Sequence, residues 1–477
     1  MKTPHIFAFL AASLAVVFLT SASAQENYAT GWSGHKFVIV NSMTAGTAGP
    51  VFKFPLLVRL DSTNAAIFAQ SKAGGADLRF TKTDNTTRIP HQIESWNATA
   101  KTAEIWVLAD TIPTNRNNFA LRIHWGNSTA ADSSNGARVF DTTNNFQAVW
   151  HMAGTANESD ATLNAYTATQ NGTSASASAA IGSGRVVSAG NYFRATGTAS
   201  GKLNFPEGSD YTISAWVFSS TLPGAGTIVS KHDNAYALKL NAEATNWEFF
   251  EFGTDATIAG WNYVNASTEG GMGVWKHLVG VHSTTETALY VDGMRMDAGL
   301  GTATSTAARV VSRDVVIGAQ PAGSNAAVQR PFDGTLDEVR MSNSVRDAEW
   351  VRLEYENQKM GSSVVTLQDA IPASLAGATA SRSMFTVTAS GNGLLFRVSE
   401  ASASNVRASK ARVAVMDMRG LTVSNRVSDI QSGTLSWDGR NTIGQVVPQG
   451  VYAVRITLLN ARGETLQSLQ RQIPLMR

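Results

Sequence analysis

Trp275-Lys276-His277-Leu278-Val279-Gly280-Val281, then Leu289-Tyr290-Val291-Asp292-Gly293, then Phe332-Asp333-Gly334-Thr335-Leu336-Asp337-Glu338-Val339-Arg340 decide how this chain folds. Each run is short and rich in β-branched or aromatic residues, and turn chemistry bounds it. Asp292-Gly293 is a two-residue hairpin signal. Upstream, Tyr211 to Phe218 alternates, so that Tyr211, Ile213, Ala215 and Val217 share one face of a strand, opposite Trp216 and Phe218. Similar runs recur at Phe37-Val38-Ile39-Val40, from Ala103 to Leu108, and from Val451 to Leu458. Regular helical periodicity is scarce, apart from Trp350 to Tyr355 after the capping-box spacing of Ser344-Val345-Arg346-Asp347. The expectation is an all-β chain of three β-sandwich domains in tandem.

With 477 residues, 43% of them hydrophobic, the chain has material for several large cores, so disorder is not the default. The formal net charge is +2 and no Lys/Arg block could track a phosphate backbone, which argues against a nucleic-acid partner. Lys2, the apolar run Ile6 to Leu19 and the small residues Ser21-Ala22-Ser23-Ala24 before Gln25 read as a secretory signal over 1–24. The run is shorter than the ~20 residues of a spanning helix, so no transmembrane segment is expected after signal removal. A secreted protein, extracellular or attached to the outer cell surface, follows. It contains no cysteine, so its sandwiches must hold without disulfides, and thiol chemistry is excluded.

The opening runs, with the strand of Tyr211 to Phe218 and the helix after Asp347, resemble the laminin-G-like, concanavalin-A-like jelly-roll family over 147–360. The resemblance implies a domain that binds glycans or proteins at a sheet face or rim, and catalysis in only some members. The preceding stretch, 25–146, carries Gly31-Trp32, Asp77-Leu78-Arg79-Phe80 and His124-Trp125-Gly126-Asn127, and is similar to an uncharacterised β-sandwich module of secreted bacterial proteins. Residues 361–383, rich in Ser, Ala and Gly, read as a linker. Trp437-Asp438-Gly439 and Pro448-Gln449-Gly450-Val451-Tyr452, within 384–477, resemble the immunoglobulin-like C-terminal sorting domain of type IX secretion. A plain immunoglobulin-like spacer is the alternative.

No catalytic residues are assigned. A glycosidase pair on a strand needs even spacing, whereas Glu248 and Glu251 are three apart and Asp337 and Glu338 are adjacent, so both pairs diverge. Glu338 instead shares a face with Arg340, as an ion pair of small worth. Patterns for zinc peptidases, serine hydrolases and phosphate loops are absent. His151 and His282 read as hydrogen-bonded residues near strands. The jelly-roll resemblance implies calcium at the rim, with Asp160, Asn191 and Asp337 as ligands. Asn191 stands where an acid is common, which lowers the charge of that set.

For a ligand, Gly260-Trp261-Asn262-Tyr263-Val264-Asn265 places Trp261 and Tyr263 on one face if extended, with Asn262 and Asn265 as amide partners. Aromatic faces beside amides suit sugar rings, and core packing of either ring is the competing reading. Trp216 and Trp275 read as core. In the first module, Asp77 with Arg79 and Glu94 with Trp96 read as same-face sheet pairs. The functional expectation is a non-catalytic protein that binds polysaccharide, with calcium as the candidate cofactor. A structural surface protein or protein-binding adhesin is one alternative, and a carbohydrate-active enzyme with its site in loops is another.

Overall fold

The computed structural model describes residues 28–475 except 29, 189, 198–199, 207–208, 233–234, 244, 254–259, 270, 297–310, 323–326, 370–384, 391–392, 399–408, 417–421, 430–433 and 461–464. The expected signal at 1–24 and most of the expected linker lie outside the described residues. The chain is a series of antiparallel β-sandwiches with one helix longer than two turns among the described residues.

In the first sandwich, one sheet orders Val365–Gln368, Gly34–Val40, Phe119–Trp125, Arg79–Thr81 and Arg88–Ile89. The other orders Val51–Leu60, Thr102–Ile112 and His91–Asn97. Alternation along these strands sends Val38, Val40, Leu121 and Ile123 from one sheet toward Leu56, Val58, Ile105 and Val107 of the other. One strand comes from far away in sequence. Val365–Gln368, inside the stretch expected to be a linker, pairs with Gly34–Val40 from Phe37 opposite Gln368 to Val40 opposite Val365. The jelly roll therefore lies in sequence between two strands of the first sandwich.

The jelly roll stacks two larger sheets. One runs Ser176–Ser178, Ser183–Val187, Gly334–Ser342, Tyr211–Ser219, Trp275–His282, Thr287–Val291 and Met294–Arg295, with Phe146–Trp150 also paired to Gly334–Ser342. The facing sheet runs Gly260–Glu269, Asn246–Gly253, Tyr236–Leu240, Thr227–Ser230, Val315–Ile317, Tyr192–Ala195 and Ala168–Asn171. Tyr211, Ile213, Ala215 and Val217 meet Phe193, Leu238, Phe249 and Ile317 in one core, as the alternation requires. At Gly280 the ring of Phe249 occupies the place a Cβ would take, so the sheets approach this closely only with glycine there. Asp292 and Gly293 both have positive φ, 51° and 75°, and close the hairpin between Val291 and Met294.

The outer face of the jelly roll's first sheet is not a solvent face. Trp216, Val149 and Ile181 from the jelly roll, and Trp350 and Leu353 from the helix Ala348–Gln358, join the same buried cluster as Leu56, Val58 and Trp106 of the first sandwich. Asp347 caps that helix by accepting a bond from Trp350 N–H, rather than Ser344 four residues before the helix start. The two sandwiches therefore share a core. The C-terminal sandwich has its own, built from Phe396, Val413, Trp437, Tyr452, Val454 and Ile456. Its two motif aromatics meet there: Trp437 and Tyr452 lie edge to face at 5.5 Å, Trp437 Nε1 donates to Arg440 O and Tyr452 OH donates to Pro448 O.

One irregularity positions the polar groups between the sandwiches. Opposite Ser214 and Trp216 the Gly334–Ser342 strand carries one residue too many, pairing Arg340 with Ser214 but Asp337 with Trp216. Glu338 sits at this bulge with φ 50°, in the left-handed region. Unbroken alternation would send Glu338 and Arg340 into the apolar core with Leu336. The bulge lets Leu336, Val339 and Met341 all face that core, and turns Glu338 and Arg340 toward the first sandwich.

Candidate functional site

The residues expected to hold calcium are each engaged by protein donors. Asp160 Oδ1 accepts from Val149 N–H and Thr162 N–H, and Oδ2 accepts from Thr162 Oγ1 and Tyr166 N–H. Asn191 Oδ1 accepts from Thr173 N–H, while its Nδ2 donates to Ser188 Oγ. Asp337 is fully buried, and its Oδ2 accepts from Ile181 N–H. Burial and the neighbouring Glu338 push the Asp337 carboxyl well above the usual carboxylate range. To take an ion, Asp160 would have to release four donors and Asp337 the Ile181 N–H.

Among the described residues, the acidic and imidazole groups that do converge are Glu94, His151 and Glu338, with ligand atoms within 4.8 Å of one another. They belong to a buried network. His151 Nδ1 lies 2.6 Å from Glu338 Oε1, and Arg340 grips Glu338 Oε2 through Nε and Nη2 at 2.9 and 2.7 Å. Arg340 Nη1 reaches Glu354 Oε1 at 3.0 Å, and the guanidinium lies 4.4 Å over the Trp106 ring. Trp106 Nε1 donates to Glu94 Oε2 at 2.6 Å. Burial raises Glu94 well above the usual carboxylate range, and the neighbouring Glu338 and Asp337 act in the same sense. Burial would raise Glu338 too, but His151 and Arg340 outweigh it and hold the group at about 2. Calcium seeks six to eight oxygens, and a guanidinium on the same carboxylate opposes a cation. The arrangement fits a structural clamp.

Glu338 and Arg340 pair as their spacing implies, yet their side chains are 1% and 3% exposed, so the pair is buried and its loss costly rather than a surface bridge of small worth. Glu94 is a member of the clamp and not only a sheet partner of Trp96. Nothing local in the sequence signals this, since Glu94 and Glu338 meet only when two sandwiches dock. His282 pairs with Glu251 at 2.9 Å in the jelly-roll core. Glu248 on the opposite face pairs with Lys239 at 2.7 Å.

The expected ligand residues lie on the edge strand Gly260–Glu269 of the jelly roll's second sheet. The side chains of Trp261 and Asn262 fall outside the described residues. Tyr263 stands opposite Phe250 and is 48% exposed, so its ring is not spent on the core. Asn265, two residues on and thus on the same face, stands opposite Glu248, and its buried Oδ1 has no hydrogen-bond partner. Lys239 lies over the Phe250 ring at 5.2 Å while paired to Glu248. An aromatic plane, an unused amide oxygen and an ion pair thus share one patch at a sheet edge.

Fold and patch together define a tandem β-sandwich protein built around a concanavalin-A-like jelly roll. Residues 188–352 match the family model described as the concanavalin A-like lectin/glucanases superfamily, and 74–153 match a domain of unknown function, DUF2341. A search of the curated proteins finds no match. Among solved structures the chain is similar to the binding domain of Paraclostridial Mosquitocidal Protein 1, at 12% identity over 45% of this chain and 53% of that one, with a TM-score of 0.37. It thus spans about half of that structure's length. Domain 4 of AbnA, a GH43 extracellular arabinanase from Geobacillus stearothermophilus solved with arabinotriose, is similar at 18% identity over 44% of this chain and 97% of that one, with a TM-score of 0.35. The binding domain of Botulinum Neurotoxin DC solved with SialylT is similar at 11% identity over 70% of this chain and 74% of that one, again at 0.35. Likeness at this level concerns fold alone. Among the described residues no helix is long and apolar enough to cross a membrane.

Proposed function

We propose that this is an exported, non-catalytic glycan-binding protein whose jelly roll holds a saccharide against the edge strand Gly260–Glu269. The observation that carries the reading is the half-exposed Tyr263 ring on the same strand face as Asn265, whose buried amide oxygen has no hydrogen-bond partner. The C-terminal sandwich, with its Trp437 turn and Tyr452 strand, serves export or surface attachment as a sorting domain. Fusion of 384–477 to a passive reporter tests that role, since a reporter left inside the producing cell argues for a spacer.

Retention on a panel of plant and microbial glycans tests the binding. Tyr263→Ala is expected to weaken retention by roughly tenfold or more, in the range of about 1–3 kcal/mol for an aromatic stacking contact, without changing the melting temperature. No retention by any glycan sinks the proposal. The panel is run with calcium and with chelator: loss on chelation shows that retention depends on calcium, and unchanged retention removes the ion from the proposal. Release of reducing sugar during the assay would overturn the non-catalytic reading.

A further inference from the structure

The first sandwich carries a separate cleft of ≈ 470 Å³, a size suited to a small ligand. Its wall combines Arg79, Arg88, Arg138 and His91 with a single carboxylate, Asp132. The local fold explains the convergence. Arg79 comes from one sheet, Arg88 from the neighbouring short strand, His91 from the start of the other sheet, and the segment Ala131 to Arg138 closes over them. Asn135 N–H donates to His91 O at 2.8 Å and Ser134 Oγ accepts from Ile93 N–H at 2.8 Å, tying the segment to the His91–Asn97 strand.

Part of the wall is fixed before any ligand arrives. Arg79, 2% exposed, donates through Nη1 to Leu78 O at 2.9 Å and through Nη2 to Ala131 O at 2.7 Å, so its charge is locked into the wall. Arg88 and Arg138 are exposed at the mouth. Asp132 Oδ1 is engaged by Ser134 N–H at 2.8 Å. Ser133 lines the cleft, and its buried Oγ has no hydrogen-bond partner. Burial, reinforced by Arg79 and Arg88, lowers His91 to about 3, so the imidazole is neutral near pH 7 while the arginines keep the cleft positive.

We propose that this cleft binds the carboxylate of an acidic saccharide, with Arg88 and Arg138 receiving the charge and Ser133 bonding a neighbouring hydroxyl. Planar guanidinium forks match a carboxylate through paired N–H bonds, which a neutral sugar does not offer. The cleft lies in the segment whose family model carries no function, and it is independent of the Tyr263 patch. The protein would then grip an acidic polysaccharide at two points, which raises avidity if both engage one chain.

Isothermal titration of the full mature chain with trigalacturonate, and with the neutral trisaccharide galactotriose, tests the proposal. Saturable binding of trigalacturonate is expected, weakening as salt is added. The double variant Arg88→Glu, Arg138→Glu is expected to weaken it by roughly tenfold or more, with the melting temperature unchanged because both side chains are exposed. Retention of neutral glycans at the Tyr263 patch is unaffected by the same variant, so failure of one site is distinguishable from failure of the other. Absence of trigalacturonate binding, equal affinity for galactotriose, or full affinity in a folded double variant would each overturn the assignment.

Discussion

Glu338 is where backbone and charge are settled together. Its left-handed φ is a conformation that an ordinary side chain enters at a cost, and it persists because the bulge moves two charged residues out of an apolar core and onto each other. Removing Arg340 leaves Glu338 Oε2 and Glu354 Oε1 buried without their guanidinium partner. Arg340→Ala is therefore expected to lower stability by about 3–5 kcal/mol in urea unfolding, and a loss below 1 kcal/mol would show that the clamp is not structural.

The clamp region also sets a pH dependence. His277 is lowered from 6.5 to about 3 by burial and by Arg340, so it stays neutral while the unfolded chain gains its proton. Its contribution is complete above pH 6.5 and is lost as the pH falls toward 3. Glu338, held at about 2 against an ordinary 4.5, stabilises above pH 4.5 and ceases to do so as the pH falls through about 2. Glu94, Asp337 and Glu354 are raised and act in the opposite sense, weakening the fold as the pH rises past their ordinary range. His277→Gln should therefore flatten the fall in melting temperature between pH 6.5 and 4.5. An unchanged slope would remove His277 from the account. Of these groups the sequence exposes only the run of Asp337, Glu338 and Arg340, because His277 arrives from another strand, Glu354 from the helix and Glu94 from the other sandwich.

At the scale of elements, the helix Ala348–Gln358 does more than cover apolar surface. Val51–Leu60 is the edge of its sheet, and at Leu57 both edge groups are bonded by one side chain: Asn357 Oδ1 accepts Leu57 N–H at 2.7 Å and Nδ2 donates to Leu57 O at 3.0 Å. Arg59 returns the favour to the helix end, donating to Asn357 O and Gln358 O at 3.3 and 2.5 Å, where carbonyls lack intrahelical partners. Asn357→Ala leaves two buried backbone groups unpaired and is expected to cost about 2 kcal/mol or more, read from denaturant midpoints. Asn357→Asp, which keeps the acceptor but not the donor, should be no better than alanine. The helix itself is legible from its apolar spacing after a cap signal. Its cap at Asp347 and its stitching to Leu57 are not, since each depends on what the helix end faces.

For the whole molecule, the strand Val365–Gln368 and the shared core make the first sandwich and the jelly roll one folding unit, while the C-terminal sandwich carries a separate core. Calorimetry of the full chain is expected to show one transition for 28–369 and a second for the C-terminal sandwich, with Arg340→Ala moving only the first. Separate melting of the first sandwich and the jelly roll would contradict the shared core.

By itself the sequence determined the all-β class, the alternating faces of Tyr211 to Val217, the Asp292-Gly293 hairpin and the extended strand that carries Tyr263, because these rest on local periodicity and turn chemistry. Only the tertiary structure decided that a presumed linker supplies a strand, that Glu94 and Glu338 share a buried clamp, and that Arg79, Arg88 and Arg138 line one cleft. Those outcomes depend on which distant surfaces exclude water from each other. Burial of that kind is set by docking, and no spacing along the chain encodes it.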